Sequence, residues 1–185
     1  MKKDVKYALS LISRYLILIV LGILGLSLFH LIFLPLTIYP VFLLLGSFFK
    51  TSIISNIIFV NNLPIEIIGS CVAGSAYSLL LILNLSTPKI NFKKRILILF
   101  FSFSLLLLLN ILRIFFLSAL LISGNSLFDI THKIFWYAGS TIFVAGIWFL
   151  SVKLFKIKEI PFYSDIKSLY SLGKNSHNSK RSKKH

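Results

Sequence analysis

Long uncharged runs constrain this chain more than anything else in it. No charged residue lies between Arg14 and Lys50, only Arg113 lies between Arg95 and Asp129, and none lies between Lys133 and Lys153. A helix that crosses a bilayer needs about 20 apolar residues, because it rises 1.5 Å per residue through roughly 30 Å of hydrocarbon. Hydrocarbon offers the backbone no partners, so a spanning segment must satisfy its own hydrogen bonds. The runs therefore predict spanning helices near 15–34, 70–87, 96–123 and 133–152. With 57% hydrophobic and only 14% charged residues, the composition argues against both a soluble enzyme and a disordered chain. The expected fold class is all-α, a polytopic integral membrane helix bundle of about four full spans. The first span has no small-residue cleavage site after it and is expected to remain in the mature chain.

Basic residues set the expected orientation. There are 20 Lys and Arg against 5 Asp and Glu, a formal charge of +15, and they fall in blocks. Lys2, Lys3, Lys6 and Arg14 form the first, Lys89, Lys93, Lys94 and Arg95 the second, and the stretch from Lys153 to Lys184 the third. Cytoplasmic loops carry the excess of Lys and Arg, so all three blocks belong on the cytoplasmic side and an even number of crossings must separate them. The segment 36–60 is apolar but interrupted by Pro35, Pro40, Gly46 and Lys50. It reads as an outer-face interfacial or re-entrant element. Residues 1–160 then form a transmembrane helical domain and 161–185 a basic cytoplasmic tail. That tail lacks interleaved aromatics and suits anionic lipid headgroups better than nucleic acid.

Within this frame three residues reach one membrane face. Cys71, the single cysteine, lies at the outer start of the second span, and His132 lies at the outer start of the last. Arg113 lies about 25 Å beyond residue 96 along its helix, towards the outer leaflet. An arginine at such depth costs roughly 2.5–3.5 kcal/mol to insert and is a functional candidate by default, although it can also snorkel to a headgroup. The chemistry of the trio is coherent. Cysteine attacks as its thiolate, which a helix N-terminus or a cation favours. An imidazole can take the thiol proton and return it to a leaving amine. A guanidinium can hold the thiolate or the oxyanion of a tetrahedral intermediate. Together they describe nucleophilic acyl transfer.

Supporting residues follow from spacing. Asn110 precedes Arg113 by one helical turn, where its amide can orient the guanidinium. Asp129 precedes His132 by the same interval, which suits a helix N-cap, either alone, the favoured reading, or with its carboxylate also reaching the imidazole. Ser70 and Ser75 can donate hydrogen bonds, and Glu66 is the one acid near the cysteine.

These residues resemble the exosortase/archaeosortase family of membrane transpeptidases. The likeness runs over Ile65–Gly74 (IEIIGSCVAG), Asn110–Ile114 (NILRI) and Asp129–Gly139 (DITHKIFWYAG), continuing along the last span to Trp148. It covers roughly residues 60–155. The resemblance implies a cysteine peptidase/transpeptidase whose active site is Cys71, Arg113 and His132, with no metal or cofactor. Its substrates would be exported proteins with a C-terminal membrane-anchored sorting signal, cleaved at the outer face and passed to a lipid or amine acceptor. Two features depart from the family pattern. Glycine commonly follows the cysteine by two residues there, whereas Gly74 follows Cys71 by three, and the chain has fewer spans than typical bacterial members. A small transporter using Arg113 to bind an anion, and a scaffold without chemistry, are the competing readings. The absence of inverted repeats weighs against the transporter.

Overall fold

The computed structural model describes residues 2–87 and 90–157. The basic tail expected at 161–185, and the domain boundary before it, lie outside the described residues. The chain is mostly helical. Helix α1 spans Lys2–Gly46, α2 Gly74–Ser86, α3 Phe92–Ile122, α4 Leu127–Ile134 and α5 Ser140–Leu154. A single 3-10 turn, Gly69–Val72, leads into α2, and a π-helical turn, Phe135–Gly139, joins α4 to α5. Among the described residues, four helical stretches are long and apolar enough to cross a membrane: Tyr15–Gly46, Gly69–Ser86, Phe92–Ile122 and Leu127–Leu154.

Long helices that follow one another in the chain run antiparallel, and α1 therefore packs parallel to α3, Phe29 meeting Phe103 and Phe48 meeting Phe115. Along α1 and α2 the contacts progress in opposite senses. A Cβ at Gly22 would lie 2.9 Å from Ile82, one at Gly74 would lie 3.4 Å from the Leu26 carbonyl oxygen, and one at Gly69 would lie 3.4 Å from the His30 ring. At Gly22 and Gly69 the missing side chain leaves room for Ile82 and for the His30 ring. Between α3 and α5 the Ser102 and Ser151 hydroxyls share a hydrogen bond of 3.1 Å. An aromatic cluster fills the centre. Phe33 stacks on Tyr77 with ring centroids 3.8 Å apart, and Phe103 meets Tyr77 and Phe29 edge-on. The outward faces of the helices leave large apolar side chains such as Leu16, Ile23, Leu43, Phe100 and Phe149 exposed.

Two expectations need correction. The first helix does not stop before Pro35 but carries both Pro35 and Pro40 inside it and ends at Gly46. Each proline removes one N–H and crowds one carbonyl, whereas leaving the helix there would strand several backbone groups in an apolar stretch. The expected interfacial or re-entrant element at 36–60 is therefore divided between the end of α1 and a small sheet, and the fold is not purely α. Strands β1 (Thr51–Ile54), β2 (Ile57–Val60) and β3 (Leu63–Glu66) form an antiparallel meander in the order β1-β2-β3. Both connections are two-residue turns. Asn61 and Asn62 both have positive φ, 48° and 71°, the conformation that a tight hairpin needs and that asparagine tolerates. Ile58 and Val60 turn one face of the sheet into the core, and β3 delivers the chain directly to the turn that carries Cys71.

Candidate active site

Cys71 lies within the 3-10 turn at the head of α2, its amide donating to the Ile68 carbonyl at 2.9 Å. The turn hands over to α2 through Ala73, whose φ of 59° and ψ of 37° lie in the left-handed region. This is the residue two beyond the cysteine. The conformation glycine favours is thus present there, with alanine adopting it, while Gly74 begins the helix.

Helix α3 brings Asn110 and Arg113 against this turn. Asn110 is 1% exposed, and its amide donates to the main-chain carbonyl of Cys71 at 2.7 Å. The role expected for Asn110, orienting Arg113, is therefore replaced by one of anchoring the cysteine backbone. That bond joins residues from different helices and could not be read from spacing along one helix. Arg113 is 7% exposed and makes no hydrogen bond or ion pair to another described residue; its Nε is buried without a partner. Its guanidinium lies within electrostatic reach of the Cys71 thiol.

His132 approaches from α4. Its ring stacks on Phe128 at 5.5 Å, nearly parallel, and meets Trp136 edge-on at 6.1 Å. The spacing of four residues on either side places all three rings on one helical face. Asp129 does not reach the imidazole; it is exposed in the first turn of α4. Ser126 occupies the N-cap without a side-chain cap bond, and the Asn125 carboxamide oxygen accepts instead from the Leu127 amide at 2.9 Å. The imidazole is thus oriented by aromatic rings rather than by a carboxylate.

Cys71, Arg113 and His132 line one cavity of about 270 Å3. Glu66 and Trp136 share its wall, and aliphatic residues of β3 and α3 supply most of the remainder. The Glu66 carboxylate is held by the Asn56 amide, which donates to it at 3.2 Å. Three side chains far apart in sequence thereby line one largely apolar volume. Such a volume suits a peptide bond flanked by apolar residues, with few polar groups fixing its position.

A second cavity, about 580 Å3, opens on the other side of Arg113. His30 of α1 lines it and lies against Gly69. His30 and Trp136 were not among the residues the sequence singled out. An ionisable residue in the middle of the uncharged run 15–49 is the signal that points to His30. Trp136, which lines both cavities, lies in the π-helical turn, a distortion that often marks functional positions. No family model, curated protein or solved structure matches this chain.

Proposed function

We propose that the protein is a membrane-embedded cysteine transpeptidase or protease, similar in kind to the exosortases and archaeosortases, that cleaves C-terminal sorting signals of exported proteins. The observation that carries this reading is the shared cavity of Cys71, Arg113 and His132. The apolar outward faces of four long helices support a multi-pass membrane location. Exposed apolar area on this scale favours aggregation in water and is matched by acyl chains. The basic blocks put both termini in the cytoplasm and the cavity towards the outside.

The chemistry runs in two halves. The Cys71 thiol gives its proton to His132, and the sulfur attacks the carbonyl carbon of the scissile bond, forming a C–S bond and a tetrahedral oxyanion. Arg113 holds that oxyanion, and a low-dielectric wall strengthens the interaction. Collapse breaks the C–N bond while His132 returns the proton to the leaving amine, which leaves a thioester on Cys71. An amine of the acceptor, or water, then attacks the thioester carbonyl and releases the thiol. Asn110 fixes the backbone from which the sulfur projects, and the Phe128–Trp136 bracket fixes the imidazole.

Co-expression with a substrate that carries a C-terminal span and basic tail tests the reading. Cys71→Ala and Cys71→Ser should abolish processing while the protein remains inserted. Processing at the normal rate by either variant overturns the proposal.

A further inference from the structure

The larger cavity has a different chemistry from the one that holds the thiol. Its polar lining comes from Ser27, His30, Ser70, Ser75, Arg113 and Ser140. These residues belong to α1, the 3-10 turn, α2, α3 and the start of α5, so their donors converge from several directions. No carboxylate lines this cavity among the described residues. Arg113 brings a guanidinium that is nearly all buried and has an unpartnered Nε. A desolvated cation without a compensating acceptor is costly, and one thiol cannot occupy the five donors of a guanidinium. Four hydroxyls and an imidazole beside it add further donors that need acceptors.

We propose that this cavity binds a phosphate group, with Arg113 and His30 as its principal donors and the serine hydroxyls completing the cradle. A planar carboxylate presents two oxygens in one plane and is saturated by a single guanidinium edge. A tetrahedral phosphate distributes its acceptors in three dimensions and so matches donors on several walls at once. The phosphate can belong to a lipid headgroup or be free in solution; the donor set is the same for both. The site shares Arg113 and Trp136 with the cavity that Cys71 lines, whereas Cys71 itself lines only the smaller one, and it stands whether or not the protein is a transpeptidase.

The test uses full-length Cys71→Ala protein in an uncharged detergent, so that its outcome does not depend on acyl transfer. Thermal unfolding is followed with inorganic phosphate, with short-chain phosphatidylglycerol, with an uncharged diacylglycerol of the same chain length and with acetate. Phosphate and phosphatidylglycerol should each raise Tm if the anion is read alone, and only the lipid should do so if the headgroup is read with its chains. His30→Gln and Ser75→Ala should weaken that binding at least tenfold, and Ser118→Ala, in the other cavity, should not. A shift equally large with diacylglycerol or acetate overturns the proposal, as does no shift with either phosphate probe. Should the variants fail to fold, modification of His30 by diethylpyrocarbonate is mapped in the otherwise unaltered protein. The effective phosphate probe should slow it at His30 and not at His132, and equal rates with and without the probe overturn the site.

Discussion

The carboxamide of Asn110 donates to the main-chain carbonyl of Cys71 across 2.7 Å, tying the middle of α3 to the turn that presents the thiol. The bond lies between residues brought together only by the fold, and Asn110 is buried deeply enough that water cannot replace it. On the proposed mechanism it couples stability and reactivity through one contact.

Asn110→Ala leaves the Cys71 carbonyl oxygen without its donor, a loss of about 1–3 kcal/mol for a buried acceptor. The variant should unfold at a lower temperature in detergent. Processing should fall as well, since the turn is no longer held against α3. Asn110→Asp should also be destabilised, because a carboxyl buried there must either take up a proton to donate to the carbonyl or face that oxygen as an unpaired charge. An unchanged melting temperature for both variants would show that the bond contributes nothing.

Arg113 and Cys71 make a second linked pair. On the proposed mechanism the guanidinium faces the attacking sulfur, and no other Lys or Arg among the described residues lines the small cavity. Arg113→Gln should slow alkylation of Cys71 by iodoacetamide about tenfold at neutral pH, since ~1.4 kcal/mol is one decade. Arg113→Lys should retain part of the rate, because it keeps the charge and loses the planar fork. Equal alkylation rates in all three proteins would remove Arg113 from the activation of the thiol.

The parts of this architecture that were legible in the sequence are those governed by charge and by span length. Arg113 stands out because it interrupts an otherwise uncharged run, and Cys71 and His132 join it once crossings are counted. The sheet at 51–66 escaped because its strands are only four residues long and lie beside an apolar helix that masks their alternation. The pair Asn61–Asn62 between apolar residues was the available hairpin signal. Pro35 and Pro40 misled for the opposite reason, since a local rule for helix ends is overridden where the surroundings leave the backbone nowhere else to bond. Asp129 looked like a partner for His132 because they lie one turn apart, yet Phe128 and Trp136 hold the ring. Spacing identifies residues on one helical face but not which of them turns inward.

The aromatic bracket gives a prediction that separates His132 from the thiol. Phe128→Ala removes the ring stacked on the imidazole, and such contacts contribute about 0.5–1.5 kcal/mol beyond area burial. Because Phe128 is only partly buried, the global stability should change little. Processing should drop several-fold as the imidazole loses its fixed orientation, while alkylation of Cys71 continues at its normal rate. A parallel fall in both readouts would place Phe128 in the support of the whole site rather than of His132.

Ala73 supplies a test of the backbone on which the cysteine is mounted. Its left-handed φ and ψ cost a non-glycine residue about 1–2 kcal/mol, and its carbonyl accepts from the Ala76 amide at 2.9 Å to start α2. Ala73→Gly relieves that strain but gives up a buried methyl of about 0.8 kcal/mol and loosens the unfolded chain by roughly 0.5–1 kcal/mol. These contributions nearly cancel, so the variant should match the parent within about 1 kcal/mol and process substrate normally. Ala73→Val places a β-branched side chain in the same left-handed conformation, where such residues are genuine outliers. It should be clearly destabilised in a thermal melt. Gly74→Ala should be harmless by comparison, because a Cβ there meets its nearest neighbour, the Leu26 carbonyl oxygen, at 3.4 Å. If Gly74→Ala is the damaging change and Ala73→Val the mild one, the conformational demand lies three residues after the thiol rather than two, and the turn geometry described for Cys71 is wrong.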